Sequence, residues 1–356
     1  MKKSSIGQKA ILLGNGINYL SADSIGWGDI LENLKNSPEI NQINTEIQKV
    51  DLKNPLKPFP LAYEEILNLL SQDTTIDIDR LLKQSIVSNI SNQLIKKKGF
   101  NKYHTDILNT KIKHILTTNY DYGLELSKIE NFQNEKKEYS INNFEIKKNN
   151  HRGYILPSDQ YIWHIHGELS DNRSHTKSPN EYAEQSILIG NEYYGISIKN
   201  IEQYISGKEK SKHAKSLVKR ISNNDPVSSW IDLFFTHDIY FIGLGLDFVE
   251  QDIWWLLNYR ANVKKRFLAK GIEINNNLTY LYADIEKTKI DLIREIKIGT
   301  QESAEIRITE WLKDQIDYKK DKAKAEIMNA LGVINKPISC ISYKEFFDKV
   351  ISDYLN

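Results

Sequence analysis

The chain has 356 residues, enough for one large domain or two ordinary ones, and its 40% hydrophobic and 27% charged composition is that of a globular protein. A formal net charge of +1 removes any global electrostatic case for nucleic acid or an anionic membrane, and no apolar run approaches the roughly 18–20 residues of a membrane helix. The single cysteine, Cys340, excludes an internal disulfide framework and a multi-cysteine zinc site, and reads as a small buried hydrophobe.

The N-terminus, MKKSSIGQKAILLGNG, has too short an apolar core for a signal peptide, so a cytoplasmic location is expected. KAILLG (9–14) reads as a strand buried on both faces, as do KHILTT (113–118), YIWHIHG (161–167), ILIG (187–190), IYFIGLG (239–245) and LTYLYAD (278–284). Helical patterns separate most of them, which predicts an α/β fold with a Rossmann-like, doubly wound, mostly parallel sheet. Residues 15–112 far exceed one crossover and carry several helical patterns, so a helical module (about 20–110) is expected after the first strand. A second, polar insert is expected over about 197–230, with a basic segment (207–220) that reads as a solvated face or a phosphate- or partner-contacting surface. In 301–356 a charged helix precedes a short strand near ISCI, and Ser342 caps a last helix with Glu345 in the capping-box position.

In open α/β sheets ligands bind outside the carboxyl ends of the strands. The residues that follow the strands are Gly14-Asn15-Gly16-Ile17-Asn18, Asn119-Tyr120-Asp121, His166-Gly167-Glu168 and Gly243-Leu244-Gly245-Leu246-Asp247. The first corner suits a phosphate cradle or an ordinary βα turn; the full G-x-G-x-x-G fingerprint is not met, because Tyr19 stands in the third glycine position. Asp247 reads as a helix N-cap with Glu250 as its capping-box partner, ahead of an apolar stripe of Val249, Ile253, Leu256 and Leu257. His164 and His166 alternate about Ile165 and share a face: His166 is a candidate general base, His164 a hydrogen-bonded core residue, and the two together a possible metal pair.

GNGIN (14–18), TTNYD (117–121) and HG (166–167) together resemble the sirtuin-like domains of prokaryotes, over roughly residues 8–300, with GLGLD (243–247) a loose match to a later turn. Protein deacetylases of that family carry a four-cysteine zinc ribbon, and this chain has one cysteine. The resemblance is therefore to the divergent branch that hydrolyses NAD in antiviral defence by abortive infection. It implies a catalytic domain over 1–300, an extension (301–356) packed on it, NAD as substrate, no metal, and no direct contact with membrane or nucleic acid. A regulatory or sensor protein from the same operon, or self-assembly, is the implied partner.

The resemblance also implies roles. Asn119 orients the ribose and the attacking water, and His166 is the base. Asp121 orients a neighbour or caps a helix. Gly14, Asn15 and Gly16 cradle the pyrophosphate, Asn18 reaches the nicotinamide end, and Thr118 bonds ribose or phosphate. Gly243, Gly245 and Asp247 line the cofactor's path. An ADP-ribosyl transferase, a cyclase and a non-catalytic sensor of NAD or ADP-ribose are the competing readings.

Overall fold

The computed structural model describes residues 8–21, 27–52, 57–71, 77–86, 100–134, 145–146, 153–155, 159–167, 187–208, 215–285 and 322–356. Glu168, the basic stretch 209–214 and the charged stretch 301–321 lie outside the described residues.

Eight strands form one sheet: β1 (Lys9–Leu13), β2 (His114–Thr117), β3 (Glu145–Ile146), β4 (Gly153–Ile155), β5 (Tyr161–His164), β6 (Asp238–Ile242), β7 (Leu278–Ile285) and β8 (Val333–Cys340). Their spatial order is β3-β4-β5-β2-β1-β6-β7-β8. The six strands from β5 to β8 are all parallel, and β4 and β3 extend the β5 edge as antiparallel neighbours. Chain order reverses direction between β1 and β6, which makes the sheet doubly wound and Rossmann-like.

Strand β1 shows why these runs become central strands. Ala10 and Leu12 pack on one face of the sheet, with Phe241, Phe234 and Ile253, while Ile11 and Leu13 pack on the other, with Ile115, Ile242 and Phe347. Alternation sends neighbours to opposite faces, and both faces are covered, so the sequence reads as a continuous apolar run. Each such side chain contributes about 1.5–3 kcal/mol on burial.

Between β1 and β2 the chain is helical: a 3-10 helix (Asn15–Leu20), α1 (Trp27–Lys35), α2 (Pro38–Ile43), α3 (Phe59–Ser71), a helical segment at 78–86, and α4 (Lys102–Leu108). Leu31, Leu34, Ile40, Tyr63, Ile66 and Leu82 give this region its own apolar core. The expected strand ILIG is not one. Residues 187–189 run without ladder partners, and Ile187 and Ile189 plug the core of the helical region instead. A four-residue apolar run carries no period that separates a strand from an anchored loop.

The remaining helices are α5 (Gly123–Asn134), α6 (Asn191–Ser206), α7 (Leu217–Ser222), α8 (Trp230–Thr236), α9 (Gln251–Leu268) and α10 (Tyr343–Val350). The expected polar insert at 197–230 is largely α6 and α7, whose Ile201, Tyr204, Ile205 and Leu217 enter the main core. Arg220, expected on a solvated or phosphate-facing surface, is buried and bonds Asp232 through Nε at 3.2 Å. The C-terminal residues are integral: β8 runs beside β7 along its whole length, with Pro337 tolerated on an edge strand. Ser342 caps α10 by accepting from Glu345 N at 3.2 Å, while Glu345 Oε2 accepts from Ile341 N, one residue before the capping-box position.

Cys340 is buried, as expected, and burial raises its pKa. Among the described residues no helix is long and apolar enough to cross a membrane.

Candidate active site

The carboxyl ends of β1, β2, β5 and β6 place the four polar corners along one edge of the parallel sheet. The glycines at the first corner answer to packing. Gly14 N donates to Ile242 O at 3.0 Å and Gly16 N to Gly243 O at 2.8 Å. A Cβ on Gly14 would lie 2.5 Å from Leu244 Cα, and one on Gly16 would strike the Tyr343 hydroxyl and Gly243. The β1 and β6 corners thus meet backbone to backbone, and of the three residues expected to cradle a pyrophosphate, Gly14 and Gly16 spend their N–H groups within the protein. Gly243 needs its freedom as well, with φ +60°, whereas Gly245 faces open space. Asp247 is not the N-cap of α9: its carboxylate accepts from Phe248 N at 2.7 Å, and Glu250 occupies the cap position with no side-chain cap bond.

The second corner is built around Asn119, which is 8% exposed. Its N–H donates to Thr117 Oγ1 at 3.0 Å and its Nδ2 reaches Gly14 O at 3.4 Å. Its Oδ1 is buried with no hydrogen-bond partner among the described residues. A buried acceptor left alone costs about 1–3 kcal/mol, so this atom is a place for a donor from outside the chain.

Asp121 has a structural task. Oδ1 accepts from Gly123 N at 2.8 Å, at the start of α5, and Oδ2 accepts from Asn18 Nδ2 at 2.8 Å. Asn18 Nδ2 also reaches Asn15 Oδ1 at 2.8 Å. Asn15, Asn18 and Asp121 therefore tie the first corner to α5, with both Asp121 oxygens engaged there, as the helix-capping alternative expected. Thr118 is half-buried and joins the same edge through its N–H, which donates to Leu13 O at 3.2 Å.

The two histidines part company. β5 ends at His164, and a turn closed by Gly167 N to His164 O (3.2 Å) carries His166 away, so the expected shared face does not extend to it. His164 is a core residue: Nδ1 lies 3.0 Å from Asn119 O and Nε2 lies 2.9 Å from Glu125 Oε1. Both partner side chains are fully buried.

His166 faces the start of α9. Nε2 lies 3.1 Å from Asp252 Oδ1, and Nδ1 lies 3.3 Å from Glu250 Oε2. Asp252 is fully buried, and its Oδ2 accepts from Ser197 Oγ at 3.0 Å. The Tyr194 ring stands edge-on to His166 at 5.7 Å. Burial alone would lower the His166 pKa, but Asp252 and Glu250 outweigh it and raise it to about 9. Burial lifts Glu250 to about 7 despite the opposing pull of His166. Two carboxylates therefore stand against His166, which was expected to act as a single base, and they favour its protonated form.

Among the described residues, His166, Glu250 and Asp252 offer ligand atoms within 4.8 Å of one another, near enough to surround a cation. His164, expected as the other half of a metal pair, is not part of that group. A metal needs an imidazole lone pair, and both His166 nitrogens are turned onto carboxylates, an arrangement that suits the protonated ring. Neither a protein-family model nor a curated protein matches the chain.

Glu250 and Asp252 did leave a trace in the sequence, as two acids spaced by one residue directly after a strand-end corner. The capping signature accounted for Glu250 and concealed it. Ser197 and Tyr194 left none, because their partners are 55 residues away at Asp252 and 28 away at His166.

Proposed function

We propose that the chain is an NAD+ glycohydrolase that cleaves the nicotinamide–ribose bond, in the manner of the sirtuin-like domains that GNGIN, TTNYD and HG resemble. The observation that carries this reading is the pairing of a buried acceptor without a partner, Asn119 Oδ1, with a histidine between two carboxylates at the neighbouring strand end. Nicotinamide departs from NAD+ as a neutral ring, so no general acid is needed. What remains is an oxocarbenium-like ribose, which a net negative cluster stabilises, and a water that must be held and deprotonated. Asn119 Oδ1 accepts from a ribose hydroxyl or from that water, and the His166 cluster receives the proton. Depletion of cellular NAD in antiphage defence, under the control of a partner protein, is the biological role this chemistry fits.

The test follows free nicotinamide and ADP-ribose from NAD+, in the purified full chain and in phage-challenged cells that express it. Asn119→Ala and His166→Ala should each abolish nearly all turnover while the chain stays folded by circular dichroism; His166→Gln, which keeps a polar group beside the buried Asp252, repeats the test with less loss of stability. Wild-type turnover in both variants refutes the assignment. A cyclic product, or ADP-ribose attached to an acceptor, would move the reading to a cyclase or a transferase acting at the same carbon.

A further inference from the structure

Building on the NAD+ reading, we propose that Glu250 takes the proton from the attacking water, and that Asp252 is a positioning residue that fixes His166 as Glu250's cationic neighbour.

Three groups compete for the proton, and hydrogen-bond accounting separates them. Asp252 is already satisfied: Oδ1 accepts from Ile253 N at 2.9 Å and faces His166 Nε2, and Oδ2 accepts from Ser197 Oγ. It has no exposure through which to exchange a proton. His166 has a carboxylate against each ring nitrogen, and a doubly protonated ring has no lone pair with which to accept. Glu250 Oε2 is different. It is buried, it lies 3.3 Å from His166 Nδ1, and it makes no aligned hydrogen bond. The Glu250 side chain is 18% exposed, so a captured proton has a way out.

The step balances without a further reagent. The C1′–N bond of the nicotinamide riboside breaks, and its electron pair leaves with nicotinamide. A lone pair of water forms the new C1′–O bond. The water's proton passes to Glu250 and then to solvent, leaving ADP-ribose. His166, kept charged by Asp252, attracts the Glu250 carboxylate from 3.3 Å and takes no proton itself.

The groups facing Glu250 are His166 from the turn after β5, Asp252 on α9, Asp247 from the β6 corner, Tyr120 after β2 and Tyr194 on α6. Burial raises both tyrosines well above their ordinary value, so they stay neutral and do not compete. Burial also brings Glu250 to about 7, where an acid both accepts and releases protons efficiently.

The experiment uses the full chain with NAD+ and measures single-turnover nicotinamide release from about pH 5 to about pH 9, with ADP-ribose binding measured by calorimetry. Glu250→Gln should reduce turnover by about 100-fold or more, keep ADP-ribose affinity within a few-fold, and remove the acid limb near neutrality. Glu250→Asp should restore part of the rate with the limb displaced. Asp252→Asn should displace the limb and lower the rate with binding retained. Wild-type rate and limb in Glu250→Gln overturn the proposal while the NAD+ reading stands. Failure of the wild-type chain to bind ADP-ribose or cleave NAD+ overturns both. If Glu250→Gln does not fold, Glu250→Asp decides, because an undisplaced limb there also overturns the proposal.

Discussion

The carbonyl of Asn119 is held by His164, whose Nδ1 lies 3.0 Å away and must carry the proton, because a carbonyl can only accept. The other ring nitrogen faces Glu125, and neither side chain reaches solvent. His164 therefore fixes the candidate catalytic corner from below. His164→Ala leaves the Glu125 carboxyl buried without its partner, at a cost of about 3–5 kcal/mol. His164→Gln retains a donor and should cost less. Urea denaturation of the two variants checks this, and equal midpoints for both and the wild type would refute it.

The glycines of the two facing corners should respond very differently to one methyl group. Gly14→Ala places a Cβ 2.5 Å from Leu244 Cα, and Gly16→Ala drives one into Gly243 and Tyr343. The obstacles are mostly backbone, so each should lose about 2 kcal/mol or more, and the Gly16 variant should loosen α10. Gly245→Ala meets nothing within 4 Å and should stay within about 0.5 kcal/mol of wild type. Thermal melts of the three variants measure the contrast, and a melt that ranks Gly245→Ala with the others would contradict it.

These glycines show which parts of the molecule the sequence discloses. Five of the six expected apolar runs became strands because burial on both faces leaves a local record, and ISCI ends a sixth parallel strand, β8. GNG was legible as a corner, but its cause was not, since the facing Gly243 lies more than 220 residues away. Ser342 as a cap was legible because its partner, Glu345, is three residues away; His164 was legible as a core residue from its place inside an apolar strand, but its partners Asn119 and Glu125 come from elsewhere in the chain. Glu250 was misread because a capping-box acid and an acid that faces a histidine from another strand end are written with the same letter. Arg220 was misread because only Asp232 and Tyr204, brought in by folding, turn a basic surface residue into a buried one.

Stability should pass through a maximum near pH 6.5. Burial lowers His104 to about 4, His114 to about 3 and His237 to about 4. The unfolded chain then protonates first, so their contribution is present above 6.5 and is lost as pH falls through those values. His166 runs the other way. Its folded pKa is raised to about 9, so its contribution is full below 6.5 and is lost as pH rises through 9. Glu250, raised to about 7, opposes the three buried histidines between its ordinary 4.5 and 7 but is outnumbered. Urea midpoints across pH should trace this dome, and His166→Gln should flatten its alkaline side; an unchanged alkaline limb in that variant would contradict the assignment.

Side-chain contacts along the first turns of α6 connect the helical region between β1 and β2 with the candidate site. Asp79 accepts from Tyr63 Oη at 2.7 Å and from Tyr193 Oη at 2.6 Å, and pairs with the buried Lys83 at 2.9 Å. Lys83 Nζ also lies over the Tyr193 ring. The residue after Tyr193 is Tyr194, against His166, and one turn further on is Ser197, on Asp252. Burial already lowers the Lys83 pKa, so removing Asp79 leaves a charge with little compensation. Asp79→Ala should therefore cost about 3 kcal/mol and raise hydrogen exchange across 59–86 before the parallel sheet opens. If α6 carries the coupling, NAD+ turnover should fall in step, while Lys83→Met, which removes the charge and keeps the bulk, should restore much of both in the double variant. Exchange confined to 59–86 with full turnover would show that the helical region and the His166 cluster are held independently.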